Sequence, residues 1–218
     1  MFRNKSFTRK IANKVKKASE FALDGLRQNR VEHEPAFTDR WLSLIEYELN
    51  GSSIGGVAWK AKTLTDRGRN SQESRYGADF MGVFDLSVPG FSVEKGFMGQ
   101  AKLVEPNDTF PAAESTRLKK QCEDMLNTSP CSYVFLFSRM SGILVVPAIA
   151  VLSARDCNPH ELTEKSITNF FVDHFECFIG DRRISTATIK DIEILRSEFG
   201  AKSLLYIGGK SLYEDELI

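Results

Sequence analysis

The sequence has few of the residues that build soft-metal sites or disulfide frameworks. Its four cysteines form no Cys-x-x-Cys pair, and its three histidines lie far apart along the chain. Zinc sites and disulfide scaffolds are recognised by such pairs at short, regular spacing. We therefore expect neither a zinc site nor a disulfide-supported fold.

Long hydrophobic runs are also missing. The longest apolar run, residues 143–152, is far shorter than the roughly 18 residues that a membrane-spanning helix needs. Pro147 interrupts it, which is typical of the end or edge of a buried strand. We expect no membrane span, and with no secretory leader pattern at the termini we expect a cytoplasmic location.

The formal net charge of zero conceals an uneven distribution. Residues 1–30 carry nine Lys/Arg and two Asp/Glu, whereas the rest of the chain carries 20 and 27. Apolar residues, among them Phe7, Ile11 and Val15, lie between the lysines at helical spacing and predict a basic amphipathic arm over residues 1–35. Three interpretations stay open: the arm binds DNA phosphates, lies on an anionic membrane, or packs on the body through its apolar face.

Hydrophobic periodicity predicts an α/β core over residues 36–155, followed by a helical extension over residues 156–218. The predicted core elements are helix 38–50, strands 54–64, 78–88 and 91–105, helix 112–127, strand 132–138 and a strand in the apolar run 143–152. Thr38 is the expected cap of the first helix. In the extension, helical spacing around residues 164–179 and 188–207 predicts helices that pack on the core.

Two of the predicted strands carry polar residues on faces that can meet. Alternation puts Asp79 opposite its apolar neighbour Phe80, and puts Gln100 and Lys102 together, opposite Ala101. Carboxylate and amide oxygens suit Mg²⁺ or Mn²⁺, and a neighbouring lysine can orient a water or neutralise charge on a phosphate. This equipment predicts metal-dependent hydrolysis of phosphodiester bonds.

The segments GADF (77–80) and GQAK (99–102), in this order of elements, resemble the motif of the PD-(D/E)XK nuclease superfamily. They are similar to its variant in which Gln replaces the second acid, as in Mrr-like restriction endonucleases. Asp79 matches the motif's Asp, Gln100 its Asp/Glu position and Lys102 its Lys. The resemblance implies a restriction endonuclease-like core, in which helices flank a central mixed sheet.

The resemblance covers about residues 38–150 and departs from the family in having Ala78 where Pro would precede the Asp. It implies that Asp79, Gln100 and the Ala101 carbonyl bind Mg²⁺ or Mn²⁺, and that Lys102 positions the attacking water. Because Gln100 brings no charge, a further carboxylate is expected from elsewhere.

In this superfamily that acid often lies on the first core helix. Glu46 and Glu48 both flank the apolar stripe of helix 38–50, and we prefer Glu46, which lies one turn after Leu42. Glu73, in the polar loop before Asp79, stays open as a third candidate.

The resemblance also implies DNA as the partner, and a role in restriction, phage defence or repair, with a homodimer or a larger defence assembly as the quaternary state. Five basic residues could flank a phosphate path or simply form a solubilising surface: Lys60, Lys62, Arg67, Arg69 and Arg75. The alternative function is a catalytically decayed nuclease-like fold that acts as a DNA-binding or assembly protein. Gln100 favours this alternative, whereas Asp79 and Lys102 oppose it.

Overall fold

The computed structural model describes residues 5–31, 33–65, 77–185 and 201–212. Five α-helices lie within these ranges: α1 (Lys5–Arg27), α2 (Glu34–Leu49), α3 (Ala112–Thr128), α4 (Ala148–Ser153) and α5 (Ile167–Phe175). The strands are β1 (Ser53–Ile54), β2 (Val57–Thr65), β3 (Phe80–Val88), β4 (Phe91–Leu103), β5 (Ser132–Ser138), β6 (Gly142–Pro147), β7 (Lys165–Ser166) and β8 (Ser203–Ser211). A short 3₁₀ turn covers Pro159–Glu161.

All eight strands form one mixed sheet in the order β1-β2-β8-β3-β4-β5-β6-β7. β3 and β4 are an antiparallel hairpin, and β5 and β6 are another, whereas β4 runs parallel to β5 and β8 runs parallel to β3. Helices pack on both faces, with α1, α2 and α5 on one and α3 and α4 on the other. The predicted α/β class, a mixed sheet flanked by helices, is confirmed.

Strand alternation sorts the side chains of the central hairpin between two cores. Phe80, Phe97 and Ala101 belong to the core under α1, α2 and α5, whereas Met81 and Met98 belong to the core under α3 and α4. Gln100 and Lys102 therefore share the α3 face with Met98, as the alternation predicts.

The first core helix begins earlier than predicted. α2 starts at Glu34, and the Thr38 hydroxyl donates a hydrogen bond of 2.9 Å to the Glu34 carbonyl inside the helix instead of capping it. Pro35 lies in the first turn, where a backbone N–H has no helical partner and proline is tolerated. The earlier start puts one more acid on this helix.

The C-terminal segment corrects the predicted helical extension. Residues 203–211 form β8, which lies between β2 and β3 in the middle of the sheet. Residues 204–207 are a short apolar run that satisfies either a strand or a helix, and pairing with two strands decides for the strand. α5 fulfils part of the helical prediction, while residues 188–200 lie outside the described part of the chain. The segment thus belongs in part to the core sheet.

The basic arm packs on the body through its apolar face. Ile11 and Val15 of α1 are fully buried, and the indole N–H of Trp41 in α2 donates a hydrogen bond of 2.9 Å to the Ser19 hydroxyl. Lys17 forms an ion pair of 2.8 Å with Glu48, at the rim of the contact. Of the three interpretations of the arm, packing is confirmed for the described residues 5–31.

Replacing Ile11 with Ala should destabilise the whole protein, because it removes a side chain that is 0% exposed and leaves a cavity between α1 and the sheet. We expect a loss of about 2 to 5 kcal/mol in the free energy of unfolding, measured by chemical denaturation. Phe21→Ala on the same helix is the control, since Phe21 is 49% exposed and should change stability far less. Equal losses for the two variants would contradict the packing of α1.

Candidate functional site

A cavity of about 300 Å³ opens where β3 and β8 begin and β4 ends, between the first turns of α2 and the middle of α3. We call it the edge cavity. Its charged and amide side chains are Glu34, Asp39, Asp79, Gln100, Lys102, Arg117, Gln121 and Lys202. The structure thus brings together the three residues of the predicted motif.

Unequal strand lengths create this site. Pairing between β3 and β4 ends at Phe80 and Gly99, but β4 continues to Leu103. On the open edge the Ala101 N–H donates to the Asp79 carboxylate at 3.1 Å, and the Leu103 N–H donates to the Glu34 carboxylate at 2.9 Å. Two carboxylates therefore take the place of a neighbouring strand, because exposed strand N–H groups need acceptors.

Asp79 is fixed through both its backbone and its side chain. Its N–H donates to the Gly99 carbonyl at 3.0 Å, and its carbonyl accepts from the Ser203 N–H at 3.0 Å. In the side chain, Oδ2 accepts from Gln100 Nε2 as well as from the Ala101 N–H, and Oδ1 accepts from Lys202 Nζ at 2.7 Å. The position of the carboxylate is therefore determined by β4 and by the start of β8.

A glycine allows the chain to enter β3 close to α3. Gly77 has φ +71°, in the left-handed region that side chains with a Cβ seldom adopt. A Cβ at this position would also lie 2.5 Å from the Gln121 carbonyl oxygen. Both the backbone angle and the space require glycine two residues before Asp79.

The buried Gln100 side chain contains an unsatisfied acceptor. Nε2 donates to Asp79 and also to the Ala101 carbonyl at 3.1 Å, whereas the buried Oε1 has no hydrogen-bond partner. A half-turn of the amide about its last side-chain bond exchanges the two atoms. Oε1 would then face the Asp79 carboxylate and the Ala101 carbonyl, and three oxygens that converge in this way form a set of donors suited to a cation.

Lys102 is buried beside this cluster and forms an ion pair with an acid from α3. It is only 8% exposed, and its Nζ lies 3.6 Å from the Glu114 carboxylate in the first turn of α3. Buried lysines are rare without a pairing partner. Lys102 can therefore present an ammonium group to the cavity from a fixed strand.

Of the acids on α2, Glu34 and Asp39 line the cavity and Glu46 does not, which corrects the preference for Glu46. Burial raises the pKa of the Glu34 carboxyl above its ordinary value, and the positive charge of Lys102 opposes that rise. Glu46 lies twelve residues later, about 18 Å along the helix axis, where its carboxylate accepts the Thr63 N–H at 2.7 Å. Glu48 pairs with Lys17 of α1 and does not line the cavity, and Glu73 lies outside the described residues.

The predicted DNA-contact residues fall into two groups. Lys60 and Lys62 lie on β2, opposite Gly208 and Tyr206 of β8, and neither lines the edge cavity. The three arginines of the loop, Arg67, Arg69 and Arg75, lie outside the described residues.

Sequence reasoning missed several residues that line the cavity. Arg117 and Gln121 project from α3, and in the sequence their positions fit the solvent-exposed face of an ordinary amphipathic helix. Asp39 accepts a hydrogen bond of 3.2 Å from the Ser203 hydroxyl. The sequence pattern around Lys202 predicts a helix, so it does not indicate that Lys202 lies at the cavity. The Glu34-Pro35 pair is the one feature of the sequence that indicates an earlier start of α2, since proline is favoured in the first turn of a helix.

Hard oxygen donors dominate the edge cavity, which suits Mg²⁺ or Mn²⁺ better than a soft metal. Within the described ranges, no three His, Cys, Asp or Glu side chains are grouped closely enough to hold a metal ion. A metal here would therefore depend on the amide oxygen of Gln100 and the carbonyl of Ala101 together with Asp79 and Glu34. The buried and unpaired Gln100 Oε1 would join that donor set after the half-turn of the amide, since Nε2 is the atom that faces Asp79 and Ala101 in this structure.

The sequence matches no protein-family model, and comparison with curated proteins and with solved structures finds no match. Among the helices of the described residues, none is both long enough and apolar enough to cross a lipid bilayer. A functional assignment therefore depends on the geometry of the edge cavity.

Glu34→Gln should weaken the binding of Mn²⁺ by about 10-fold or more, because Gln keeps the hydrogen bond from Leu103 but brings no charge. The metal-free protein should be at least as stable as the unmodified chain, since a buried carboxylate is costly to desolvate. Isothermal titration calorimetry with Mn²⁺ measures the affinity. Glu46→Gln is the matched control on the same helix, and a larger loss in this variant would show that the acid was assigned incorrectly.

Proposed function

We propose that this protein is a Mg²⁺-dependent deoxyribonuclease of the PD-(D/E)XK type, with a restriction endonuclease-like core and the Mrr-like Gln variant of the motif. The convergence of Asp79, Gln100 and Lys102 on one cavity carries the proposal. Glu34 on the first core helix supports it, because it supplies the acid that the Gln variant lacks.

Four oxygen donors would hold the ion. They are the Asp79 carboxylate, the Gln100 amide oxygen after its half-turn, the Ala101 carbonyl and the Glu34 carboxylate. When bound, the divalent ion would neutralise charge on a phosphate and lower the pKa of a water molecule. Manganese could replace magnesium, because both prefer oxygen ligands.

Lys102 would orient the attacking water and stabilise negative charge on the phosphate. As an ammonium group it donates hydrogen bonds and accepts none, so it acts by position and charge and not as a general base. Hydrolysis adds the water oxygen to phosphorus and breaks one P–O ester bond, which leaves a phosphate monoester and an alcohol. The Glu114 contact would keep Lys102 directed into the cavity until substrate arrives.

The charge of the cavity suits a phosphodiester. Its acids are matched by Lys102, Lys202 and Arg117, and Arg117 is exposed on α3 at the mouth of the cavity. A guanidinium group can bind phosphate oxygens in a bidentate manner. DNA as the substrate, and restriction, phage defence or repair as the role, follow from the family resemblance and are part of the proposal.

A decayed nuclease fold is the second candidate, and the hydrogen bonds of Asp79 favour it. Both oxygens of its carboxylate already accept hydrogen bonds, from Ala101, Gln100 and Lys202, so the side chain is satisfied within the protein. Such a protein would bind DNA or assemble with a partner without cutting.

A cleavage assay separates the two candidates. The protein should cut plasmid or single-stranded DNA in Mg²⁺ or Mn²⁺ and not in EDTA. Lys102→Met should lower the rate by about 100-fold or more, because it removes a charge directed at the reacting phosphate. Lys120→Met on the exposed side of α3, where Lys120 pairs with Asp124, is the control and should cut normally. Absence of cleavage under all these conditions would favour the decayed fold.

Gln100→Glu should have opposite effects on stability and on metal affinity. Without metal, a carboxylate at this position would lie against Asp79 and the Ala101 carbonyl, so the melting temperature should fall. With Mn²⁺ the added charge should strengthen binding, whereas Asp79→Asn should weaken it. Thermal melts and calorimetric titrations measure both properties, and equal affinities for the two variants would count against the ligand assignment.

A further inference from the structure

Lys202 lies beside the predicted motif although it is distant in sequence. It immediately precedes β8, and the hydrogen bond of 3.0 Å from the Ser203 N–H to the Asp79 carbonyl fixes the start of β8 against the start of β3. Lys202 is thereby placed next to Asp79 across two parallel strands. Its position is set by the central sheet and not by a surface loop.

The ammonium group of Lys202 contacts one particular oxygen of Asp79. Oδ2 of that carboxylate is directed to β4, where Ala101 N and Gln100 Nε2 donate to it. Oδ1 is the remaining oxygen, and Lys202 Nζ donates to it at 2.7 Å. The Asp79 side chain is 13% exposed and the Lys202 side chain 54%. The carboxylate is therefore largely buried, and the ammonium group of Lys202 reaches it from the solvent side.

A divalent ion at Asp79 would meet this ammonium group directly. If the ion binds Oδ1, it takes the atom that Lys202 contacts in this structure. If it binds Oδ2 after the Gln100 amide has turned, it lies only the width of the carboxylate away from the same ammonium group. Lys202 also acts on the second acid, because its charge is among those that oppose the rise in the pKa of Glu34. Like charges this close repel each other, and they do so more strongly where little water lies between them.

We propose that Lys202 is a positioning residue that serves as a resident counter-cation: its ammonium group neutralises Asp79 when no metal is bound, and it leaves Oδ1 when a divalent ion binds. It then contacts the phosphate of the substrate. This inference rests on the proposed metal site and adds to it a residue outside the motif.

The side chain is suited to such an exchange. Lysine is a point charge on a flexible four-carbon chain, and more than half of this one is exposed, so it can leave Asp79 without disturbing the core. The backbone bond between Ser203 and Asp79 does not involve the ammonium group. β8 therefore stays in register whichever group Lys202 contacts.

A purely structural ion pair makes the opposite prediction. If Lys202 only held Asp79 in position, its removal would misplace the carboxylate and weaken metal binding. If Lys202 competes with the metal, its removal strengthens metal binding and destabilises only the metal-free protein. The sign of the change in affinity therefore separates the two roles.

The test uses Mn²⁺ alone as the probe and the full chain as the protein. By isothermal titration calorimetry, Lys202→Met should bind Mn²⁺ about 3- to 10-fold more tightly than the unmodified chain, the size expected for removing one partly exposed competing charge. Lys202→Arg keeps the charge and should bind like the unmodified chain. Lys210→Met, at the exposed far end of β8, is the matched control and should also bind unchanged.

Thermal melts supply a second measurement that needs no catalysis. Metal-free Lys202→Met should melt at a lower temperature than the unmodified chain, because Asp79 loses its counter-charge, and Mn²⁺ should raise its melting temperature by a larger increment. Equal or weaker Mn²⁺ binding by Lys202→Met, while the unmodified chain binds, would overturn the role of Lys202 and leave the metal site intact. Absence of Mn²⁺ binding by every variant would overturn the metal site and this inference together.

Discussion

The candidate site depends on one mismatch in strand length. β4 extends beyond the last residue that β3 pairs with, and the backbone N–H groups on that edge must find other acceptors. Asp79 and Glu34 supply them at Ala101 and Leu103, two residues apart along one strand. The spacing of residues along β4 therefore sets the spacing of the two carboxylates. Both side chains satisfy backbone donors of the sheet whether or not a ligand is bound.

This arrangement links the stability of the sheet to the chemistry of the cavity. Each carboxylate satisfies a backbone donor of β4 with one oxygen, and the other oxygen of Asp79 accepts from Lys202 at the cavity. Gln100 and Lys102 alternate with Ala101 and Leu103 along the same strand, so the backbone of β4 fixes where their side chains begin relative to the two acids. Substitutions at Asp79 or Glu34 should therefore be judged by charge-only variants, since truncation would also leave a strand N–H unpaired.

The part of the site that was predictable from the sequence is the part that depends on local pattern. Asp79 immediately precedes β3, and Gln100 and Lys102 lie on β4 of the same hairpin, so period-two alternation is enough to bring them together. Glu34 was missed because its partner, Leu103, is 69 residues away and because the start of α2 was placed at Thr38. Lys202 was missed because β8 is recognisable only through its pairing with β2 and β3, and a run of four apolar residues does not separate a strand from a helix.

The insertion of β8 between β2 and β3 has a consequence for how the molecule matures. Lys202 and Asp79 are 123 residues apart, so the cavity closes only when a late segment of the chain inserts into an existing gap in the sheet. Pairings between such distant segments form slowly, and synthesis releases the earlier strands first. A nascent chain would therefore hold Asp79, Glu34 and Lys102 before it holds the strand that completes their surroundings, and the edge cavity would be incomplete until β8 has paired with β2 and β3.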